Sequence, residues 1–322
     1  FWGTPLNVWI CDTCGEHAVP SSRADLCGWA GTDLQDLDLH RPHVDQIEFA
    51  CRKDGCSGTM GRTPEVIDCW FDAGSMPFAQ YHYPFENKEL FESQYPADFI
   101  SEGVDQTRGW FYTLLVISTF LTGRSSYRSC LVNELVLDQN GKKMSKSIGN
   151  TVDPMEIMRS EGADPLRWYL ITSSPVWTTL RFEREGVSEA RRKLLATLEN
   201  TYNFFSLYAN LDGFQTDPAR PTEPDLLDRW ILSRLQSVTA QVREDLDDLH
   251  LTRAAKTLAA FVNDDISNWY VRLSRRRFWK GEMTVDKMMD DKWTAFSTLY
   301  TVLESTLRLL APFIPFTAEE LY

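Results

Sequence analysis

The period of the apolar positions changes twice along the chain. Residues 1–64 show no sustained period; Cys, Gly and His are frequent there, and the segment reads as turns, with 33–43 as loop and short strands. From 65 the apolar runs become short and dense. Residues 65–70 and 99–101 predict buried strands, 106–121 a helix and 131–137 another strand, an order that predicts a parallel pair with a crossover. Residues 139–187 mix loops with short helices. Within them Asp153-Pro154 and Asp164-Pro165 each read as an N-cap followed by proline at the first helical position.

From about 188 the spacing is helical. Leu195, Leu198, Tyr202 and Phe205 mark one apolar face, and Ile231, Leu235, Val238 and Val242 a second. Leu258, Val262, Ile266, Trp269 and Leu273 mark a third, and Leu299, Leu303, Leu307 and Leu310 a fourth. The proline-rich stretch 213–224 is a linker, and Thr317-Ala-Glu-Glu320 predicts a capping box opening a further helix. The expected fold class is α/β plus all-α, in three parts: a cysteine-bearing insert (1–64), half of a nucleotide-type α/β domain (65–187) and a helical bundle (188–322).

Composition adds limits. The 322 residues exceed what a single core usually holds, about 250–300, which favours more than one domain. No run nears the ~18 apolar residues of a membrane span. The chain opens on Phe1-Trp-Gly-Thr-Pro, without initiator Met or basic leader, which reads as a boundary inside a longer protein. A net charge of −13 argues against a general nucleic-acid binder, although a local basic patch remains compatible with it. Seven cysteines, four of them in two close pairs, suit reduced thiols around a metal in a cytoplasmic protein better than a secreted disulfide framework.

The pairs are Cys11-Asp-Thr-Cys14 and Cys51-Arg-Lys-Asp-Gly-Cys56, and four thiolates would satisfy tetrahedral Zn²⁺ in a structural role. The second spacing is wider than a usual knuckle, and unligated thiols in a loop are the alternative. His17, His40 and His43 are near enough to replace one ligand. Cys27, Cys69 and Cys130 are isolated and expected to be buried.

The densest chemistry is Gly141-Lys-Lys-Met-Ser-Lys-Ser-Ile-Gly-Asn150, placed after a strand. A solvated basic turn is the plain reading. The alternative is that flanking glycines let Lys143 and Lys146 converge on a polyphosphate, where placed cations stabilise the charge growing on a departing pyrophosphate. Residues 143–147 match, letter for letter, the KMSKS signature, and the chain resembles the class I aminoacyl-tRNA synthetases. That resemblance implies ATP with Mg²⁺, held by Lys143, Met144, Ser145 and Lys146, with Lys143 and Lys146 as the catalytic pair.

Two further segments, 67–77 and 99–111 with Glu102-Gly-Val-Asp-Gln-Thr-Arg-Gly-Trp110, resemble the isoleucine-specific members in particular, and the likeness extends through Asn268-Trp-Tyr-Val-Arg272. It implies a Rossmann-type catalytic half, a zinc-ribbon-like insert, an anticodon-binding bundle, and isoleucine, ATP and tRNA(Ile) as partners of a monomer. Trp70 and Trp110 would wall a slot for the aliphatic side chain, where core tryptophans are the alternative. Glu102, Gly103, Asp105 and Gln106, just past a strand end, would hold the isoleucyl-adenylate, where a solvated loop is the alternative. In the helical part Arg272, Arg275, Arg276, Arg277 and Lys280, interleaved with Trp269 and Trp279, suit tRNA phosphates and bases, with Arg272, Arg276 and Trp269 singled out. Salt bridges to the acidic remainder would be the plain alternative.

The family's HIGH motif and editing domain have no counterpart in the sequence, so the resemblance implies that this chain alone does not aminoacylate. A valine or leucine relative, or a non-catalytic tRNA-binding paralogue, are the competing assignments.

Overall fold

The chain falls into two compact units, Phe1–Cys130 and Leu131–Tyr322, in a computed structural model that describes residues 3–33, 38–217, 219, 222–279 and 286–322. In the first unit four short antiparallel strands, β1 (Trp9–Cys11), β2 (His17–Ala18), β3 (Phe49–Ala50) and β4 (Thr59–Arg62), lie in the order β2-β1-β4-β3. Strand alternation sets the sides: Trp9 and Cys11 are buried and Ile10 between them is exposed, while Met60 stands opposite both Cys11 and Phe49. Trp9, Phe49, Met60 and Leu26 form a small core, in which Trp9 Nε1 donates to the carbonyl of Ile47 at 2.8 Å. Leu26 comes from α1 (Arg23–Ala30), which the apolar pattern did not announce. Its signals are local: the Ser22 hydroxyl accepts from the Asp25 N–H at 3.0 Å, and Gly31, at φ 67°, ends it. The described part of 33–43 holds turns and no strand.

Residues 65–70 are not a strand. Val66 makes only an isolated bridge with Pro5, and Asp68 caps α2 (Cys69–Ala79) by accepting from the Trp70 N–H at 2.8 Å. The cap satisfies an N–H that a starting helix leaves orphaned, and that outweighs the strand tendency of Val66, Ile67 and their neighbours. Cys69, opening α2, is exposed, as is Cys130, and the expected burial of both was wrong. α2 packs closely on α4 (Trp110–Thr122) at Gly74, where a methyl group would stand 2.8 Å from the Thr113 carbonyl oxygen. α3 (Lys88–Gln94) adds Phe91 to a cluster with Phe78 and Tyr95. β5 (Ala97–Gly103) leads through a 3-10 turn, Val104–Arg108, into α4 and on to its partner β6 (Tyr127–Asn133). Phe99 in β5 is half exposed, not buried. The strand expected at 131–137 starts earlier and breaks after Asn133, where the Glu134 carboxylate accepts the next N–H, that of Leu135.

In the second unit β7 (Val136–Leu137) and β8 (Leu180–Arg181) run parallel, with Leu137 opposite Arg181. Around them α5 (Pro154–Glu161), α6 (Ala163–Thr172) and α7 (Arg184–Ala190) enclose Ile157, Leu166, Tyr169, Phe182 and Val187. Asp153 caps α5, with Pro154 at its start, as expected. Asp164 does not cap its own helix. It is buried inside α6, and its carboxylate accepts the N–H of Thr317 at 2.6 Å. That contact replaces the capping box expected at 317–320, so α13 (Pro315–Leu321) is capped from another helix. Arg167 completes the clamp by donating to the carbonyls of Phe313 and Pro312 at 3.1 and 2.9 Å.

The bundle proper is α8 (Ala196–Leu211), α9 (Leu226–Asp247), α10 (Leu251–Ala260), α11 (Arg272–Trp279) and α12 (Asp286–Leu310). The apolar faces of α9 and α12 are buried as the spacing predicts, and so are Leu195 and Leu198, with Phe205 packed against them in part. The third face turns partway. Leu258, Val262 and Ile266 are buried, but Tyr270, Ser274 and Phe278 follow them inside, whereas Trp269 and Leu273 are 55% and 58% exposed. The stretch Phe261–Val271 that joins α10 to α11 is π-helical. Hydrogen bonds from i to i+5 widen each turn by about one residue, so inward positions recur every four and residues 269 and 273 rotate out.

Candidate functional site

Because β1 and β4 are neighbours, the turn after β1 and the turn before β4 meet at one edge of the sheet. The first carries Cys11 and Cys14, the second Cys51 and Cys56. All four sulfurs lie within 4.8 Å of one another, and the Cys11–Cys56 and Cys14–Cys51 pairs are both 3.7 Å apart. A tetrahedral Zn²⁺ with Zn–S bonds of about 2.3 Å needs S–S edges of about 3.8 Å, so this donor set fits that ion. His17, His40 and His43 stand outside the cluster. Two residues not singled out from the sequence build the seat. The Asp12 carboxylate ties the turns by accepting from the Thr13 hydroxyl at 2.8 Å and the Thr59 N–H at 2.9 Å, and a methyl on Gly58 would fall 2.5 Å from the Cys11 sulfur. The N–H of Cys14, with that of Thr13, brings the Cys11 thiol down to about 7. Cys51, despite the Lys53 N–H, is pushed up to about 12 by burial and the neighbouring thiols. Thiolates this close repel unless a cation neutralises them.

Further along the first unit, the end of β5 carries Glu102 and Gly103, and the turn after it carries Asp105 and Gln106. Gly109 has no side chain to cap α4, and Gln106 supplies the cap: its Oε1 accepts the Trp110 N–H at 2.8 Å while its Nε2 donates to Asp105 at 3.2 Å. Trp110 Nε1 donates to the Ala73 carbonyl of α2 at 3.1 Å. The ring of Trp70 lies over Gly109, where a methyl would stand 2.9 Å from Cη2. Trp70 of α2 thus lies against the residue that precedes Trp110, and it keeps an exposed surface.

In the second unit the lysine loop is held by groups other than its lysines. Asp138 Oδ1 accepts the N–H groups of Asn140 and Lys142 at 2.9 and 2.8 Å, and Oδ2 accepts the Asn150 amide at 2.8 Å. The Asn150 amide, with help from the Lys142 N–H, holds the Asp138 carboxyl below its ordinary value. Asn150 also closes the loop: its Oδ1 accepts the Ser145 N–H at 2.9 Å and its Nδ2 donates to the Lys143 carbonyl at 3.2 Å. Met144 is turned into the apolar cluster below, and Ser145 bonds Ser147 at 2.6 Å. Lys143 and Lys146 are left exposed. Asp138 and Asn150 were not among the candidates. Their signal was present, an Asx residue at each end of a glycine-bearing turn.

On α11 the arginines divide. Arg277 makes a bidentate pair with the fully buried Asp228, 2.8 Å at each oxygen, and Tyr270 donates to the same carboxylate at 2.6 Å. Arg277 therefore leaves the set of expected RNA contacts. Arg275 lies toward the ring of Phe204. Arg272 and Arg276 are exposed on the side that also carries Trp269, and Lys280 lies outside the described residues.

Comparison with known proteins places this geometry. The profile described as tRNA synthetases class I (I, L, M and V) matches residues 1–183, and that of the anticodon-binding domain of tRNA ligase matches 228–322. The isoleucine--tRNA ligase of Bacillus thuringiensis (strain Al Hakam) is 51% identical over the whole chain, as is isoleucine--tRNA ligase 2 of Bacillus anthracis; that of Clostridium novyi is 50% identical. The chain spans about 30% of the length of each. Among solved structures, the Agrobacterium radiobacter K84 LeuRS in its ternary complex with tRNA and LeuAMS shares the fold at a TM-score of 0.70 and 20% identity, over all of this chain and 39% of that one. The Mycobacterium tuberculosis methionyl-tRNA synthetase with methionyl-adenylate does so at 0.68 and 21%, over 86% of this chain and 52% of that one. No helix among the described residues is long and apolar enough to cross a membrane. With a four-cysteine cluster, an α/β part, a Lys-Met-Ser-Lys-Ser loop and a helical bundle in this order, the chain belongs to the class I tRNA synthetases.

Proposed function

We propose that the chain is part of a cytoplasmic isoleucine--tRNA ligase, which activates isoleucine with ATP and passes it to tRNA(Ile). The observation that carries this is the lysine loop: its fold is secured by Asp138, Asn150 and Met144, so Lys143 and Lys146 stay exposed and available to an anion. In the reaction a carboxylate oxygen of isoleucine bonds to the α-phosphorus of ATP, and the bond from that phosphorus to the bridging oxygen breaks. Pyrophosphate leaves with the electron pair. Lys143 and Lys146, beside Met144 and Ser145, stabilise the charge that grows there, and Mg²⁺ accompanies the ATP. No side chain acts as nucleophile; catalysis is positioning and charge stabilisation.

Glu102, Gly103 and Asp105 hold the adenylate, and Trp70 and Trp110 line the aliphatic slot, in residues 65–187 as a Rossmann-type half. Gln106 serves by fixing Trp110 and Asp105, since its amide is committed to both. Cys11, Cys14, Cys51 and Cys56 hold Zn²⁺, which joins the two turns of the insert at 1–64. Residues 188–322 bind the tRNA, with Trp269, Arg272 and Arg276 as contacts. Pyrophosphate exchange by the full-length protein with isoleucine, valine and leucine tests the assignment. Exchange dependent on valine or leucine in preference to isoleucine would defeat it.

A further inference from the structure

The lysine loop has another cation beside it. Arg181 ends β8, and its backbone is fixed from two sides. It pairs opposite Leu137, and its carbonyl accepts the Tyr169 hydroxyl at 3.1 Å; that hydroxyl also accepts the Glu183 N–H at 3.0 Å. Tyr169 is itself held tightly, because Gly186 of α7 leaves no room for even a methyl against its ring. From this anchored position the guanidinium reaches over the first turn of the loop. A methyl on Gly141 would stand 3.2 Å from Arg181 Nε and 3.5 Å from Cζ and Nη2. Gly141 is favoured as glycine by its φ of 76°, and the guanidinium lies over the face that a side chain there would occupy.

Nothing among the described residues neutralises that guanidinium. Among the described residues no carboxylate lies within ion-pair distance of Arg181, Lys142, Lys143 or Lys146, although the chain carries 46 acidic residues against 33 basic ones. The carboxylate of the loop, Asp138, is occupied by N–H groups and the Asn150 amide. Arg184, three residues on, is paired with Glu156 and bonded to Ser160. Arg181 is thus set apart from an ordinary surface arginine in an acidic protein.

We propose that Arg181 is a further phosphate contact of this site, gripping the β- and γ-phosphates of ATP and then pyrophosphate together with Lys143 and Lys146. A guanidinium presents a planar fork that bonds two phosphate oxygens at once, which an ammonium does not. The proposal rests on the reading of the loop as an ATP-phosphate site.

The test is pyrophosphate exchange by the full-length protein carrying Arg181→Ala, Arg181→Lys or Lys146→Ala, with isothermal titration of inorganic pyrophosphate alongside. Arg181→Ala is expected to raise the KM for ATP and for pyrophosphate about tenfold or more, and to weaken pyrophosphate binding equally, with the KM for isoleucine and the Tm unmoved. Arg181→Lys should recover part of the loss. If Lys146→Ala abolishes exchange while Arg181→Ala leaves both phosphate KM values at wild type, Arg181 has no such role and the reading of the loop survives. A lowered Tm with equal changes in all three KM values would make the residue structural and overturn the proposal. A wild-type protein without isoleucine-dependent exchange would defeat the reading beneath it.

Discussion

In the cysteine cluster the reactive groups face one another: four sulfurs from two turns share one centre, and the Asp12 carboxylate and the missing side chain of Gly58 serve only to bring them closer. In the lysine loop the reactive groups hold nothing. Its turns are fixed by Asp138, Asn150 and Met144, and its cations project without carboxylate partners among the described residues. Under the function proposed above, the difference follows from what each site does with its ligand. A structural ion is kept, so the protein gains by converging every donor on it. A triphosphate must be bound, cut and released, so charge is left uncompensated until the ligand arrives, and the scaffold is made from residues that the ligand does not touch. The helix α11 repeats the contrast in one turn: Arg277 is committed to Asp228, while Arg272 and Arg276 are exposed.

Breaking the first half of the comparison should have the largest effect. Structural zinc in small sites contributes apparent free energies of ~10–16 kcal/mol. Chelation, or Cys14→Ala, should therefore unfold β1–β4 while leaving the helical bundle intact, seen as loss of amide protection confined to residues 3–64. Protected strands in a zinc-free protein would show that the cysteines do not share an ion.

Next comes Asp228→Ala, which strands a buried guanidinium and should destabilise the helical unit by about 3–5 kcal/mol in thermal unfolding. Burial pushes the Asp228 carboxyl up, but the bonds from Arg277 and Tyr270 and the Arg277 charge outweigh it and hold it below its ordinary value. Its contribution is then complete above the unfolded carboxyl's value of about 3.9 and lost as pH falls through the lower folded value. Asp228→Asn should flatten the acid limb of the stability curve, and an unchanged limb would exclude this linkage.

Lys146→Ala sharpens the second half. Loss of one placed donor should lower exchange by about 10²–10³-fold, while the Tm shifts by no more than about 0.5 kcal/mol equivalent, as for an exposed surface residue. A large stability loss would mean that the lysine is part of the scaffold after all. Asp138→Ala should give the mirror image and the smallest change: about 1–3 kcal/mol of local stability, read as faster amide exchange at Asn140 and Lys142, with a milder rise in the KM for ATP. Undiminished protection there would remove Asp138 from the role assigned to it.

Sequence alone settled what is written in local chemistry. The Lys-Met-Ser-Lys-Ser run, the two cysteine pairs, the Asp153 cap with its proline, and the apolar faces of α9 and α12 each depend on neighbours within a turn or two, so they were legible before any fold was known. Tertiary structure decided what depends on partners far along the chain. Asp164 looked like a cap for its own helix and instead caps α13, because that helix starts beside it in space. Trp269 and Leu273 fit an α-helical face and were carried outward by a widened π-helical stretch, which spacing cannot announce. Arg181 drew no notice in the sequence because its meaning lies in Gly141, forty residues earlier, and in the parallel pairing of β7 with β8 that sets one over the other.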